Sequence, residues 1–307
     1  MAEAFPKTEK IWMDGKFVNW DEAKVHVLSH SLHYGSSIFE GIRCYNTIKG
    51  PAVFRLDEHI DRLVKSCKIF MIDLPYSHKE LVNVVKETIK INKVKECYIR
   101  PLIFRGYGSM GLNPLHSPVN LMIAVWPWSS YLGKDGVEKG IRAKISSFSR
   151  LNPNTMFTKA KIAGNYVNSA LAKMEAIKEG YHEAIMLNPD GYVAEGPGEN
   201  IFIVRNNVLV TPPVNYVLSG ITRESVIQIA LDNKIKIKEQ KFTRDEVYIA
   251  DEVFFTGTAA EITPIVEVDH RGIGNGKPGE ITKMLQKKFF DVVHGKDKKY
   301  YKWLSFV

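Results

Sequence analysis

Apolar and polar residues alternate along the chain in patterns that predict a mixture of helices and strands. Near the amino terminus, residues 11–13 and 16–18 flank Asp14-Gly15, a pair suited to the tight turn of a β-hairpin. After Leu56, apolar residues at spacings of three and four predict a helix containing Ile60 and Cys67, and a second helix from about 78 to 92. Apolar runs predict strands at 97–104 and 121–126.

The second half of the chain repeats this mixture after a polar, glycine-containing stretch at 129–136. It predicts strands at 141–147 and 252–256 and helices at 167–179, 223–233 and 281–293, with turn signals between them. The predicted fold class is therefore α+β. We expect a smaller N-terminal α/β domain at 1–127, an interdomain loop at 128–137 and a larger C-terminal domain at 138–307.

Composition excludes several functional classes. The 307 residues are 45% apolar and 25% charged, as in an ordinary globular protein, and the net charge of +8 is spread along the chain, so no nucleic-acid partner is expected. Three cysteines without a close pair argue against a disulfide framework and a zinc ribbon, and no metal is expected. Neither a signal core nor a membrane-length apolar run is present, which predicts a cytoplasmic protein without a membrane partner.

Gly106, Gly108 and Gly111 match the glycine pattern of dinucleotide-binding folds and follow a predicted strand. That pattern requires a helix immediately afterwards, whose amino terminus binds the pyrophosphate. Here Pro114 and Pro118 exclude a regular helix. We therefore expect a loop near a site rather than a dinucleotide-binding fold.

Two segments are candidates for binding anions through backbone N–H groups. Gly220-Ile221-Thr222 immediately precedes a predicted helix, where unpaired N–H groups favour phosphate; a plain helix cap is the alternative. Residues 257–260 (Gly-Thr-Ala-Ala) follow an apolar strand and suit a carboxylate, with an ordinary small-residue turn as the alternative.

Cationic side chains in apolar surroundings give a second kind of candidate. Arg43, Arg62 and Arg100 each lie among apolar residues and need an anionic partner, which is either a ligand or an internal carboxylate. Lys159 and Lys161 flank Ala160, and in an extended segment both point to the same side. A lysine among other cations becomes a nucleophile, but spacing alone does not choose between the two.

Eight segments, in order, resemble the branched-chain amino-acid aminotransferases, which are class IV, fold type IV enzymes dependent on pyridoxal 5′-phosphate (PLP). The segments are HYGSSIFEGIRCY, HIDRL, YIRPLIFRGYGSMGLNP, WPWSSYLG, KAKIAGNYVNS, EGPGENIF, LSGITRE and FFTGTAAEITP. The resemblance runs from about Ile11 nearly to the carboxyl end. It implies a two-domain fold type IV enzyme.

The resemblance also assigns cofactor roles. It selects Lys161 as the catalytic lysine that binds the cofactor covalently, Tyr166 as the partner of the ring hydroxyl, and Glu195 as the carboxylate facing the ring nitrogen, which keeps the ring able to accept electrons. The phosphate is expected at Arg62, Ile221, Thr222 and Thr258. The remaining residues that the resemblance places at the cofactor are Glu199, Asn200, Leu218, Gly220 and Gly257.

Substrate roles follow from the same resemblance. The α-carboxylate is expected at Tyr98, Thr258 and Ala259, and Gly41 and Ala260 are further expected substrate-binding residues. Arg100 resembles the residue that receives the distal carboxylate of glutamate, and Arg43 is a further candidate. The residues expected to line an apolar side-chain pocket are Tyr34, Phe39, Met110, Trp128 and Tyr131. An arginine at the rim of such a pocket allows both leucine and glutamate to bind.

The resemblance implies a reversible ping-pong transfer of the amino group from L-leucine, L-isoleucine or L-valine to 2-oxoglutarate. Lys161 acts as general base and then as general acid. Amino acids and 2-oxo acids are the expected small-molecule ligands, and the chain is expected to form at least a homodimer, with a homohexamer as a further possibility. The alternatives are a D-amino-acid or (R)-amine transaminase, an aminodeoxychorismate lyase on the same fold, and a basic binding protein without catalysis.

Overall fold

The computed structural model of the chain describes residues 5–128 and 131–307. The elements of the first part are β1 (Lys10–Met13), β2 (Lys16–Asn19), α1 (His30–Tyr34), β3 (Ser37–Phe39), β4 (Ile42–Thr47), β5 (Gly50–Phe54), α2 (Leu56–Ile69), α3 (His78–Ile91), β6 (Cys97–Arg105) and β7 (Val119–Trp126). Those that follow are α4 (Gly133–Lys139), β8 (Ile141–Ile145), α5 (Tyr166–Lys178), β9 (Glu183–Leu187), β10 (Val193–Glu195), β11 (Asn200–Arg205), β12 (Val208–Thr211), α6 (Ile221–Asp232), β13 (Lys236–Glu239), α7 (Arg244–Tyr248), β14 (Glu252–Gly257), β15 (Glu261–Val268), β16 (Arg271–Gly272), α8 (Glu280–Val293) and β17 (Leu304–Phe306).

The chain forms two compact units. The first comprises the chain up to Trp128 together with Ala160–Gly164 and Val292–Val307, and the second comprises Ser129–Lys159 and Asn165–Asp291. This grouping differs from a single boundary at 128–137, because β17 pairs with β5 and Ile162 bridges Ile38 within the first unit. Residues 129 and 130 of the expected interdomain loop lie outside the described residues, and α4 begins inside that stretch.

The first unit contains an antiparallel sheet in the order β17-β5-β4-β6-β7-β1-β2, with β3 paired to β6. The amphipathic helices α2 and α3 contribute the buried residues Leu63 and Val85 to a core shared with Ile42 and Ile99 of the sheet. Ile162 belongs to the same core. The segment that carries Lys161 is thus fixed by the core of this unit.

The second unit contains a mixed sheet in the order β10-β9-β8-β15-β14-β11-β12-β13. Strand β10 also pairs with β11, so six of these strands close into a ring. Strand β8 runs parallel to both of its neighbours, β9 and β15, and β12 runs parallel to β13. The other described pairs in this sheet are antiparallel. The core of this unit includes Ile203 and Phe255.

Most elements predicted from periodicity are confirmed, among them the first hairpin, α2, α3, β6, β7, α5, α6 and α8. Strands β3 to β5 were not predicted, because strand β4 is buried at five of its six positions and so lacks the alternation of a half-exposed strand. After Gly111, Pro114–His116 forms only one 3-10 turn, as the prolines predict. None of the described helices is long and apolar enough to span a membrane.

Candidate active site

Lys161 is held by backbone contacts within the first unit. Its N–H donates to Oγ of Ser66 at 3.2 Å, and its carbonyl accepts the N–H of Phe39 at 3.1 Å. Its Nζ lies 4.7 Å from the centre of the Phe39 ring. The structure therefore brings the predicted catalytic lysine to Phe39, one of the predicted pocket residues.

Lys159 has a different environment, in the second unit. Its Nζ donates to the carbonyl of Val217 at 3.0 Å. Partial burial of the ammonium group and the nearby Arg223 guanidinium lower the pKa of Lys159, against the opposing effect of Glu195. The amine of Lys159 therefore holds a backbone carbonyl of the second unit.

Arg62 forms a buried ion pair that the sequence did not reveal. Its Nε and Nη2 donate to the two oxygens of Glu40, at 2.6 and 2.8 Å, and Nδ1 of His59 lies 2.8 Å from the same carboxylate. Burial alone would raise the pKa of Glu40, but Arg62 and His59 outweigh it and hold that pKa well below its usual value. Glu40 lies in the apolar run Ile-Phe-Glu-Gly-Ile, which was the only available signal.

His59 completes this cluster as an uncharged ring. Burial lowers the pKa of His59, and its bond to Glu40 only partly offsets that effect. At neutral pH the cluster therefore contains two charges, the Glu40 carboxylate and the Arg62 guanidinium. The carboxylate fixes the edge of Arg62 that carries Nε and Nη2.

Arg100 lies on β6 among aromatic rings. Its guanidinium carbon is 4.8 Å from the Phe39 ring centre, 5.4 Å from that of Tyr98 and 5.9 Å from that of Trp126. Among the described residues, the buried Nε of Arg100 and the indole N–H groups of Trp126 and Trp128 have no hydrogen-bond partner. Buried donors without an acceptor are costly, so this group of donors suits an anionic ligand.

Gly41 is required next to this cluster. A Cβ atom at Gly41 would lie 1.9 Å from Oη of Tyr98, so a larger residue would displace the tyrosine ring. Trp128 packs against Tyr98 with ring centres 5.2 Å apart. The structure thus brings together five of the residues predicted for substrate binding, Phe39, Gly41, Tyr98, Arg100 and Trp128.

The other predicted substrate residues have separate surroundings. The buried Arg43 pairs with Glu96 at 3.2 Å, so at least one of its partners is an internal carboxylate. Oη of the exposed Tyr34 donates to the carbonyl of Met110 at 3.2 Å, which brings these two together. Tyr131 belongs to the second unit, where Nζ of Lys173 lies 5.2 Å from its ring centre.

Glu195 ends strand β10 in the interior of the second unit. Its Oε1 accepts from Nε of Arg150 at 2.7 Å, and its Oε2 accepts from Nδ2 of Asn200 at 3.2 Å and from the N–H of Leu218 at 3.3 Å. Burial would lower the pKa of Arg150, but the Glu195 carboxylate raises it, and Tyr166 contributes in the same direction. Arg150 was missed, because a single arginine between Ser149 and Leu151 carries no distinctive signal.

Gly220 precedes helix α6 and has an extended conformation, and no side chain caps the helix. The first N–H groups of a helix have no partner within the helix, so they are available to an anion. A Cβ atom at Gly220 would lie 1.9 Å from Oδ1 of Asn200, which explains the glycine. Ile221 and Thr222 are both buried.

The turn at Gly257–Ala260 connects β14 and β15, with Glu199 beside it. A Cβ atom at Gly257 would lie 3.5 Å from Cγ of Glu199, and Oε2 of Glu199 accepts the N–H of Gly198 at 3.0 Å. Burial and the nearby Glu183 raise the pKa of Glu199 to about 8. Glu199 therefore lies behind the turn that contains Thr258 and Ala259.

Comparison with known proteins identifies the family. Residues 37–268 match the profile of the amino-transferase class IV family. The chain is 48% identical to a branched-chain-amino-acid aminotransferase of Pseudomonas aeruginosa, over 97% of both chains.

Solved structures give the same result. The branched-chain amino acid aminotransferase of Escherichia coli has a TM-score of 0.95 and 46% identity, covering 97% of this chain and 99% of that one. The enzyme of the same name from Thermobaculum terrenum, solved in its PLP form, has a TM-score of 0.90 and 33% identity, covering 97% of this chain and 98% of that one. The family and the fold class predicted from the sequence are confirmed: the chain belongs to the branched-chain amino-acid aminotransferases, class IV enzymes of fold type IV.

Proposed function

We propose that the chain catalyses reversible amino-group transfer from L-leucine, L-isoleucine or L-valine to 2-oxoglutarate with PLP as cofactor. The observation that carries this proposal is Arg100, a cation with an unsatisfied buried donor among aromatic rings. The rings of Phe39 and Tyr98 offer an apolar surface to a branched side chain, and the guanidinium offers a partner to a second carboxylate. Two chemically different substrates can therefore use one set of residues.

The residues fit the cofactor at its charged groups. In the second unit, the uncapped start of α6 at Gly220 suits the phosphate. In the first unit, Glu40 fixes the orientation of the Arg62 guanidinium, a cation that also suits a phosphate. The buried Glu195 carboxylate, held by Arg150, suits the ring nitrogen. When bound, PLP supplies an electron sink that weakens the Cα–H bond of the amino acid.

The protein's own groups then perform the proton transfers and the binding. Lys161 is the covalent attachment point, and once released its Nζ accepts the Cα proton as general base and returns a proton as general acid. The backbone of the turn at Thr258 and Ala259 is assigned to the α-carboxylate. Tyr166 is assigned to the ring hydroxyl, and it lies near enough to Arg150 to contribute to the raised pKa of that guanidinium.

The chain also carries a surface that supports self-association. Segments 26–34 and 107–112 are joined by the Tyr34–Met110 hydrogen bond and by the rings of His26 and Tyr107, 4.2 Å apart. They expose Val27, Leu28, Leu32, Tyr107 and Leu112, which we call the loop face. We propose at least a homodimer, because apolar patches of this kind favour protein contacts. Three buried free cysteines suit a reducing cytoplasm.

The visible absorbance spectrum of the purified protein tests the proposed reaction. We expect a yellow band from the lysine-bound cofactor that L-leucine bleaches and D-alanine leaves intact. The Lys161→Ala variant should lack the band, and Lys159→Ala should retain it. Bleaching by D-alanine instead would assign the chain to the D-amino-acid transaminases, and no band after addition of PLP would refute the cofactor assignment.

A second stage of the same measurement tests Arg100. After bleaching by leucine, 2-oxoglutarate should restore the band. In Arg100→Met, restoration by 2-oxoglutarate should need about 100-fold more of it, since a buried charged contact is worth roughly 3 kcal/mol, whereas 4-methyl-2-oxopentanoate should act as in the wild type. Equal weakening towards both oxo acids would contradict the role of Arg100.

A further inference from the structure

Asn200 lies between two groups that the proposed function assigns to opposite ends of the cofactor. It is the first residue of β11, where it pairs with Glu195 on one side and with Thr256 on the other. Its side chain is buried, and so is that of Glu195. A buried amide must satisfy its donors and its acceptor within the protein or against a ligand.

Both amide protons of Asn200 are used. Nδ2 donates to Oε2 of Glu195 at 3.2 Å and to the carbonyl of Leu218 at 3.0 Å. Because both partners are acceptors, the orientation of the amide is fixed by chemistry. The N–H of Leu218 also donates to Oε2 of Glu195, at 3.3 Å, so Leu218 is joined to this carboxylate both directly and through Asn200.

The opposite face of the same amide contacts the start of helix α6. Oδ1 of Asn200 approaches Gly220 so closely that a Cβ atom there would be 1.9 Å away. Leu218 and Gly220 lead directly into Ile221 and Thr222, the helix start that suits a phosphate. One side chain therefore contacts the Glu195 carboxylate and two backbone positions of the phosphate turn.

We infer that Asn200 is a positioning residue that fixes the Glu195 carboxylate relative to the Gly220–Thr222 turn, and so sets the distance between the groups assigned to the ring nitrogen and to the phosphate. The inference rests on the proposed function and revises the expectation that Asn200 binds the cofactor itself. Aspartate at this position has nearly the same shape but loses both donors and places a second carboxylate beside Glu195. The amide is therefore required, and not only its volume.

The test compares two ligands that differ only in the phosphate. Pyridoxamine 5′-phosphate and pyridoxamine lack the aldehyde, so neither bonds covalently to a lysine. The dissociation constant of pyridoxamine divided by that of pyridoxamine 5′-phosphate is therefore a ratio that measures what the phosphate contributes to binding. We expect Asn200→Ala and Asn200→Asp to reduce this ratio about tenfold, the equivalent of one hydrogen bond to a charged group, in calorimetric titrations of the full chain freed of cofactor. A side chain needed only for folding would weaken both ligands equally.

Asn188→Ala is the matched control. Asn188 is also buried in the second unit, and its Oδ1 accepts the N–H groups of Asp190 and Tyr192 at 3.1 and 2.9 Å. This variant loses a comparable buried amide at the β9–β10 turn, so its ratio should equal that of the wild type. A ratio in the Asn200 variants within twofold of the wild type would overturn the inference.

Gly220→Ala provides an independent test in which Asn200 itself is not substituted. Its methyl group should displace Oδ1 and lower the ratio, and it should do so less in an Asn200→Ala background, where that atom is missing. Equal effects in both backgrounds would contradict the contact. If the wild-type chain binds neither ligand, the proposed function fails as a whole, whereas wild-type binding with unchanged ratios refutes Asn200 alone.

Discussion

At the scale of single residues, Glu199 shows how burial can place a carboxyl group in the physiological range of pH. Burial and Glu183 raise its pKa to about 8, against the N–H of Gly198 and the ammonium of Lys173. The folded state therefore binds a proton that the unfolded state has already released between the ordinary pKa of a glutamate and about pH 8. Stability contributed by this proton is present at low pH and is lost as the pH rises through that window.

Glu199→Gln should remove this pH dependence, because the amide stays neutral. Between pH 6 and pH 9 the wild type should lose about 5–10 °C more in melting temperature than the variant, as expected for roughly 2–3 kcal/mol in a unit of this size. Scanning calorimetry at the two pH values measures the difference. The exposed Glu138→Gln on α4 is the control and should follow the wild type. Parallel curves for the wild type and Glu199→Gln would contradict the proposed protonation.

At the scale of secondary structure, the end of β3 and one face of α2 form a unit that positions a guanidinium. His59 and Arg62 are three residues apart and so lie on one side of the helix, facing Glu40. Glu40 is fully buried, and removing one partner of a buried ion pair leaves an uncompensated charge. The pair is therefore needed for the stability of the first unit and for the orientation of Arg62.

Glu40→Gln should lower the free energy of unfolding by about 3–5 kcal/mol, since one Arg62 donor then faces an amide instead of a carboxylate. PLP affinity should fall with it. Urea unfolding measures the first effect. Asp61→Asn on the same helix breaks only the exposed pair with Lys65 and should cost less than about 1 kcal/mol. Equal costs for the two variants would show that Glu40 is not a buried anchor.

Local periodicity was sufficient to predict helix α2, but not the contact of this helix with Glu40. The spacing of Ile60, Leu63 and Cys67 gives the buried face of the helix, because side chains three and four apart share a side. Nothing local connects Glu40 with Arg62, or Arg150 with Glu195, since each pair depends on how distant segments pack. The resemblance to a family assigns roles to Lys161, Glu195 and the helix start at Gly220, but it does not indicate the residues that contact them, such as Arg150 beside Glu195.

At the scale of the whole molecule, the loop face predicts association. The wild type should have a mass in solution at least twice the 34.9 kDa of one chain. Leu32→Asp places a charge in the middle of the loop face and should shift the protein towards monomers in analytical ultracentrifugation. The control Ile48→Asp adds the same charge at the exposed tip of the β4–β5 hairpin and should leave the mass unchanged. A dimer that persists in Leu32→Asp would exclude the loop face as the interface.

The discontinuous first unit has a consequence for the order of folding. Its sheet needs β17, whose Ser305 pairs with Val53, and its core needs Ile162, so residues up to Trp128 do not contain all of the unit's contacts. The second unit draws on two stretches separated only by residues 160–164. Bringing distant segments together costs chain entropy before their contacts can stabilise the fold. The first unit should therefore reach its native state last. Until then β5 remains an open sheet edge, the kind of surface on which chaperones act and aggregates begin.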